Sequence, residues 1–312
     1  MFDFIGDIHG YAESLELLLR KLGYVKTEQG YKHSHRKVFF LGDFIDRGPK
    51  IRETLHIVKT MIDNGNALAI MGNHEYNAIA YNTLDQNGDF LRKHSAKNRA
   101  QHSETINQFK GYENEYNRYI EWFKSLPLFF ENENFRVVHA CWDQENINFL
   151  KKKLKGNCLK ENDLKDFSNP NTEDYNAIEE TLKGKELKLP DEIFFLDKDG
   201  HKRKEIRVKW WEDSSKHDYR TFGVHFDENI PNLPISTDYN FYSEKEKPVF
   251  FGHYWLQGLP TILKENVCCL DYSVAKGGKL VAYRFNPNSA IEKKEYFSIL
   301  ISNCVAVEKD KR

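Results

Sequence analysis

The regular alternation of apolar runs and amphipathic stretches over the first 80 residues is what most narrows the folds open to this chain. "FDFI" at 2–5 reads as a strand, Leu15, Leu18, Leu19 and Leu22 recur at helical spacing, and "KVFFLG" reads as a second strand. A second helical stretch from Ile51 to Asp63 and the strand-like "ALAIM" complete a β-α-β-α-β unit. Such a unit calls for a mostly parallel sheet, with ligands bound where the strand carboxyl ends open into loops. Each of the three strands runs into a polar loop that contains glycine: "GDIHG" at 6–10, "GDFIDRGP" at 42–49 and "GNHE" at 72–75.

An Asp and a His fenced by glycines is also what a tight turn uses, so one loop decides nothing. The pattern recurs, however. His139 follows "RVV", and His253 follows "PVFFG". Asp7, His9, Asp43, Asn73, His139 and His253 are thus six ligand-type side chains, each at a predicted strand end. Carboxylate and amide oxygens mixed with imidazoles suit first-row divalent ions such as Mn, Fe or Zn, and the set is too large for one ion that keeps a position open to water. Two metals are the economical reading, with Asp43, on the middle of the three opening loops, as the bridging carboxylate. Arg47, four residues on, can offer a planar donor fork to phosphate oxygens. His74, if it projects toward a leaving group, can serve as general acid, with Asp46 orienting its imidazole.

These motifs, in this order from residue 6 to about 284, resemble the signature series of the calcineurin-like metallophosphoesterases. The branch is the one shared by phosphoprotein phosphatases and bacterial symmetrical dinucleoside-tetraphosphate hydrolases. The resemblance implies an αββα sandwich: two packed mixed sheets, helices outside, and a dimetal site at one edge. It implies that Asp7, His9 and Asp43 hold one metal, that Asp43, Asn73, His139 and His253 hold the other, and that Arg47, His74 and Asp46 act as described. Two cations so placed lower the pKa of a bridging water and clamp phosphoryl oxygens for in-line attack. Trp255 stands where many superfamily members carry a second His after "GH", which favours the phosphoprotein-phosphatase-like branch. "LDYSVAKGGKLVAYRF" is similar to the bacterial tetraphosphatase ending, with Asp271 matching its aspartate and Tyr272 and Ser273 replacing the usual Thr-Gly. By the same resemblance Arg207 is the second phosphate contact, with Arg220 in "DYRTFG" as its competitor. Trp210, Trp211 and Trp255 are either core residues or stacking surfaces for a nucleobase.

Composition sets the frame around this. With 312 residues, 40% hydrophobic and 14% aromatic, the chain can bury a sizeable core. We expect a single metallophosphoesterase domain with cap-like insertions at about 82–124 and 144–206, the latter read as a solvated charged face. Its basic run, Lys151 to Lys155, is a lesser candidate for phosphate contact. The 46 Lys and Arg against 47 Asp and Glu give no net field toward nucleic acid or an anionic membrane. The five cysteines, Cys141, Cys158, Cys268, Cys269 and Cys304, lack paired spacing, which suits a reducing compartment. No stretch approaches the roughly 18 apolar residues of a membrane span, and Asp3 and Asp7 sit where a signal peptide needs a basic start and an apolar run. A cytoplasmic location is expected. The function expected is a dimetal phosphomonoesterase, of the serine/threonine protein phosphatase kind, using Mn²⁺ ahead of Fe or Zn. The alternatives are a symmetrical tetraphosphate hydrolase and, further off, an inactive scaffold.

Overall fold

The computed structural model describes residues 1–196, 202–235, 239–287, 291–292 and 295–300. Cys304 lies outside the described residues; the other four cysteines are free. Two mixed sheets form the centre. The first runs in the order Asp271–Tyr272, Lys279–Phe285, Phe2–Ile5, Lys37–Phe40, Ala67–Ala69, with Tyr296–Leu300 also pairing Lys279–Phe285. Its strands Phe2–Ile5, Lys37–Phe40 and Ala67–Ala69 are parallel to one another, and Lys279–Phe285 is antiparallel to Phe2–Ile5. The second sheet runs Val267–Cys269, Val249–Phe251, Arg136–Val138, Phe129–Glu131, the first three parallel and the last antiparallel.

Alternation along each strand sorts side chains between two cores. Phe4, Phe39, Leu41, Val137, Phe250, Cys268 and Val281 point inward and join one buried cluster between the sheets. Phe4 and Phe250, one from each sheet, stack with ring centroids 3.8 Å apart. The opposite faces, with Ile5, Val38, Phe40, Val138, Val249 and Phe251, belong to a second cluster shared with the helices. This is the αββα sandwich that the motifs imply.

The helices follow the sequence pattern where it is strongest. Helix α1 (Ala12–Lys21) buries Leu15, Leu18 and Leu19, and α2 (Ile51–Asp63) buries Leu55, Val58 and Met61. Helix α3 (Asn73–Asn82) starts inside the "GNHE" motif, and α4 (Ala96–Gln108) and α5 (Glu113–Lys124) follow it. Tyr116, Tyr119, Ile120 and Phe123 of α5 lie in the main core. Residues 144–183 depart from the expected solvated face. Helices α6 (Gln144–Lys153), α7 (Glu161–Phe167) and α8 (Glu173–Lys183) keep their charges outward, the buried Asp174 excepted, while Ile147, Leu150, Leu164, Phe167, Ile178 and Leu182 enter the same core. A three- or four-residue spacing of apolar positions among many charged residues hides that stripe from a reading by composition. The basic run is also accounted for in part, since Lys151 pairs with Glu131 at 2.7 Å and Lys153 with Asp174 at 2.9 Å. A third, smaller cluster gathers Leu187, Leu189, Ile206, Val208, Tyr219, Phe222 and Ile230. Among the described residues no helix is long and apolar enough to cross a membrane.

Candidate metal centre and phosphate site

Parallel pairing within each sheet puts six strand carboxyl ends side by side, and the loops that leave them carry the chemistry. Asp7 and His9 follow Phe2–Ile5, Asp43 follows Lys37–Phe40, and Asn73 follows Ala67–Ala69. From the second sheet, His139 follows Arg136–Val138, His253 follows Val249–Phe251, and Asp271 follows Val267–Cys269. All seven side chains are buried. His9, Asp43, Asp46, Arg47, His253, Trp255 and Ser273 have positive φ between 46° and 71°. Sparsely populated backbone angles of this kind persist only where the surroundings enforce them. The glycines explain the closeness: a Cβ on Gly72 would stand 2.2 Å from Asp43 Oδ1, and one on Gly252 would stand 2.0 Å from Asp7 Oδ1.

Hydrogen-bond polarity shows what the cluster lacks. His9 Nδ1 donates to Ile45 O at 2.9 Å, and His139 Nδ1 donates to Leu41 O at 2.7 Å. A carbonyl only accepts, so each ring carries its proton on Nδ1 and, when neutral, presents a bare Nε2 lone pair to the interior. His9 Nε2 has no hydrogen-bond partner and stands 3.6 Å from Asp43 Oδ2. His139 Nε2 faces Asn73 Oδ1 at 3.1 Å and Asp43 Oδ1 at 3.4 Å, and His253 Nδ1 lies 2.8 Å from the same Asn73 oxygen. At His9 and His139, when both rings are neutral, acceptors thus face acceptors in a buried space. One ligand atom each from His9, Asp43 and His74, and likewise from Asp43, His139 and His253, falls within 4.8 Å of the others. This donor set fits divalent cations, which would sit between the opposed lone pairs, and the backbone carbonyls behind His9 and His139 would orient both rings.

Electrostatics point the same way. Burial, with Asp271 next, raises the Asp7 carboxyl well above its usual range, and burial raises Asp271 too. Burial pushes Asp43 upward but is outweighed by His139, His74 and His9, which hold it well below the ordinary range. Against its own burial, His139 is pushed up to about 10 by Asp43. Without added positive charge, three neighbouring buried carboxylates force protons onto one another and onto the imidazole. Asp271 also fixes local backbone, accepting from the amides of Trp255 at 2.7 Å and Ser273 at 2.9 Å.

His74 lies at the edge of this cluster. Its Nδ1 is 2.5 Å from Asp46 Oδ2, and its Nε2 is 3.3 Å from Arg47 Nη2. Burial opposes a charge on the ring, but Asp43 and Asp46 together raise its pKa above the usual value. Arg47 also lies with its guanidinium carbon 3.9 Å from the centroid of the half-buried Trp255 ring, and Lys276 Nζ lies 3.6 Å from the same centroid. Two cationic side chains thus lie against one indole.

The remaining candidates divide. Arg207 Cδ is 3.4 Å, and Tyr254 Oη 2.4 Å, from where a Cβ on Gly184 would be, which places Arg207 beside the residue after His253. Its charge helps hold the His253 pKa down, after burial. The structure does not bring Arg220 to the cluster by any described contact, because its Nε and Nη2 donate to Ile230 O and Glu228 O at 2.8 Å each. Trp210 and Trp211 are core residues against Phe251, and Trp210 Nε1 donates to Ala140 O at 3.0 Å. A stacking role for these two is therefore corrected. Two supports escaped the sequence reading. Glu75, fully buried, accepts from the amides of Asp43, Phe44 and Gly72 at 2.8, 2.8 and 3.0 Å, which ties the middle loop to the third. Its position three residues after Gly72 is a capping-box spacing, a signal that was available. His102, on the polar helix α4, bonds Asp46 and carried no short-range signal at all.

Among known proteins, the chain is similar to a bis(5'-nucleosyl)-tetraphosphatase PrpE [asymmetrical] of Oceanobacillus iheyensis, 33% identical over 144 residues, covering 44% of this chain and 54% of that one. The matched stretch thus spans about half the length of that relative. It is also similar to a symmetrical bis(5'-nucleosyl)-tetraphosphatase of Buchnera aphidicola, 27% identical over 94% of this chain and 96% of that one. Among solved structures, a protein serine/threonine phosphatase from Saccharomyces cerevisiae aligns with 96% of this chain and 78% of its own, at 15% identity and a TM-score of 0.48. Residues 1–254 match the family model of calcineurin-like phosphoesterases, and with most of its length so matched the chain belongs to that family.

Proposed function

We propose that this protein is a dimetal-dependent phosphoester hydrolase that acts first of all on phosphomonoesters. The observation that carries the reading is the set of buried lone pairs facing one another from His9, Asp43, Asn73 and His139. Asp7, His9 and Asp43 would hold one cation, and Asp43, Asn73, His139 and His253 the other. When bound, two such cations acidify a water and clamp phosphoryl oxygens, which supplies the nucleophile for attack at phosphorus. The chain's own residues then bind and protonate. Arg47 donates to His74 Nε2 at 3.3 Å; a bound phosphate would draw its guanidinium onto two oxygens, leaving Nε2 to take up a proton from solvent. His74, held on Asp46 through Nδ1, gives that proton to the leaving oxygen. Arg207 would add a second cation on the His253 side.

A monoester dianion should be favoured over a diester because each charge meets fixed positive groups in a confined place. The second reading, cleavage of dinucleoside tetraphosphates, is supported by relatives matched over nearly full length, which are named symmetrical bis(5'-nucleosyl)-tetraphosphatases. Lys276, against the same indole as Arg47, adds a second positive charge beside it, as a chain of phosphates would need.

The test is metal analysis of the purified protein, followed by turnover of p-nitrophenyl phosphate, bis-p-nitrophenyl phosphate, phosphopeptides and diadenosine tetraphosphate with Mn²⁺. Two metals per chain and a higher kcat/KM for the monoester are expected. Failure to bind metal or to turn over any of the four overturns the hydrolase reading. Symmetrical cleavage of the tetraphosphate with kcat/KM well above every monoester would install the second reading in place of the first.

A further inference from the structure

A line of hydrogen-bonded side chains lies behind His74. Asn82 Nδ2 stands 2.7 Å from Ala78 O and 2.6 Å from Tyr116 Oη. A carbonyl only accepts, so the amide group facing it is the nitrogen, and its second hydrogen is directed at the tyrosine oxygen. Tyr116 then has its own hydrogen to give to His102 Nε2, 2.8 Å away. Since that ring nitrogen accepts, the proton of a neutral ring sits on Nδ1, which is 2.7 Å from Asp46 Oδ1. Thr105 Oγ1 donates to the same oxygen at 2.5 Å. The other oxygen, Oδ2, faces His74 Nδ1. Every donor in the line points toward the loop.

Helix α4 supplies two members of this line. It is polar, and its two buried side chains are His102 and Thr105, one turn apart on one face and both directed at Asp46. Asp46 needs such support, since it sits in a loop with φ of +65° and belongs to no strand or helix. With two donors on Oδ1 its carboxylate cannot rotate about its own axis without breaking both bonds. The opposite tautomer of His102 would aim a lone pair at Oδ1 and repel it.

We propose that His102 is a positioning residue for the reaction: held by Tyr116 as the neutral Nδ1–H form, it fixes the Asp46 carboxylate and through it the direction of the His74 ring. This rests on the phosphoester hydrolysis proposed above. A displacement of about 1 Å at a proton donor can cost on the order of 10² in rate, so the effect should appear where proton delivery matters.

The test uses the metal-loaded full chain. His102→Ala should lower kcat for an alkyl phosphate by roughly 10- to 100-fold, with a smaller loss for p-nitrophenyl phosphate and KM and metal content within about twofold. His102→Asn, whose side-chain amide can replace the Nδ1 donor, should recover most of the loss. Tyr116→Phe should shift the alkyl rate in the same direction by less. Equal losses for both leaving groups, or no recovery in a folded, metal-loaded His102→Asn, would overturn the proposal by showing a merely structural role. Independently of turnover, long-range ¹H–¹⁵N spectra of the wild-type protein should show His102 protonated at Nδ1 and bare at Nε2. The reverse tautomer, or a doubly protonated ring at neutral pH, sinks the proposal even if every variant is slow. Absence of turnover in the wild type would instead sink the hydrolase reading and leave the spectrum to decide on His102.

Discussion

Residues 1–82 and residues 144–235 are both rich in charge, yet the fold treats that charge in opposite ways. In the first region the polar side chains at strand ends turn inward: Asp7, His9, Asp43, Asp46, Asn73, His74 and Glu75 are all buried. In the second, the lysines and glutamates of α6 to α8 stay outside, and Arg207 alone among the proposed site residues comes from that stretch to the neighbourhood of His253. Composition does not separate the two. What separates them is glycine and strand geometry, because a strand end with no Cβ beside it lets a carboxylate approach backbone that water cannot reach. A buried charge must then be paired or bind a cation, whereas an exposed one is nearly free of consequence.

The largest break in that comparison should come from Asp43→Asn. Its carboxylate faces His9, His74 and His139 at once, at 3.6, 3.9 and 3.4 Å. Removing that charge should strip bound metal and reduce kcat by at least about 10³. Mass-spectrometric metal content and phosphatase turnover check it; two retained metals with full activity would end Asp43's place as the shared ligand. Next in size is His74→Asn. Metal content should hold, while alkyl phosphates lose roughly 10² to 10⁴ in kcat and aryl phosphates much less, since a good leaving group needs little protonation. Losses that ignore the leaving group would show His74 acting on something other than the departing oxygen.

How much of this was legible follows from how local each signal is. The β-α-β-α-β opening, the six ligand candidates and the Arg47–His74–Asp46 group each announce themselves within a few residues, because a loop at a strand end carries its own glycines. The sandwich itself and the function class came through the family resemblance that these motifs carry. Residues whose role depends on packing between distant elements stayed hidden. His102 meets Asp46 across 56 positions, on a helix whose polar sequence reads as surface. Trp210 and Trp211 looked available for stacking until Phe251 and Tyr254 covered them. The apolar stripe of α6 and α8 disappeared among lysines for a similar reason: periodicity survives there, but mean hydropathy does not.

The two arginines sharpen the comparison within the second region. Arg207→Ala should raise KM for a phosphomonoester on the order of tenfold, about 1.4 kcal/mol, with thermal stability little changed. Arg220→Ala should leave KM untouched and instead cost about 1 kcal/mol of stability, because it frees the carbonyls of Ile230 and Glu228 from their donor. Steady-state kinetics and urea unfolding on both variants suffice. A KM effect confined to Arg220 would reverse the assignment.

The smallest effect expected is at Glu131, on the edge strand of the second sheet, which tests whether surface charge is as unimportant as the contrast implies. Its carboxylate meets Arg136 Nε at 2.8 Å, Lys151 Nζ at 2.7 Å and Lys247 Nζ at 3.3 Å. Partial burial works against its charge, but Lys151 and Arg136 prevail and bring its pKa from 4.5 down to about 2. A depressed carboxyl pKa stabilises the fold above the unfolded value and loses that contribution as pH falls toward the folded one. Glu131→Gln should therefore cost only about 0.5–1 kcal/mol at pH 7, leave kcat unchanged, and make stability fall less steeply than in the wild type between pH 4.5 and about 3. Urea titrations at pH 7, 4.5 and 3 decide it. An unchanged acid limb would mean that the ion pairs contribute nothing, and a fall in kcat would mean that the outer edge of the second sheet is coupled to the buried cluster after all.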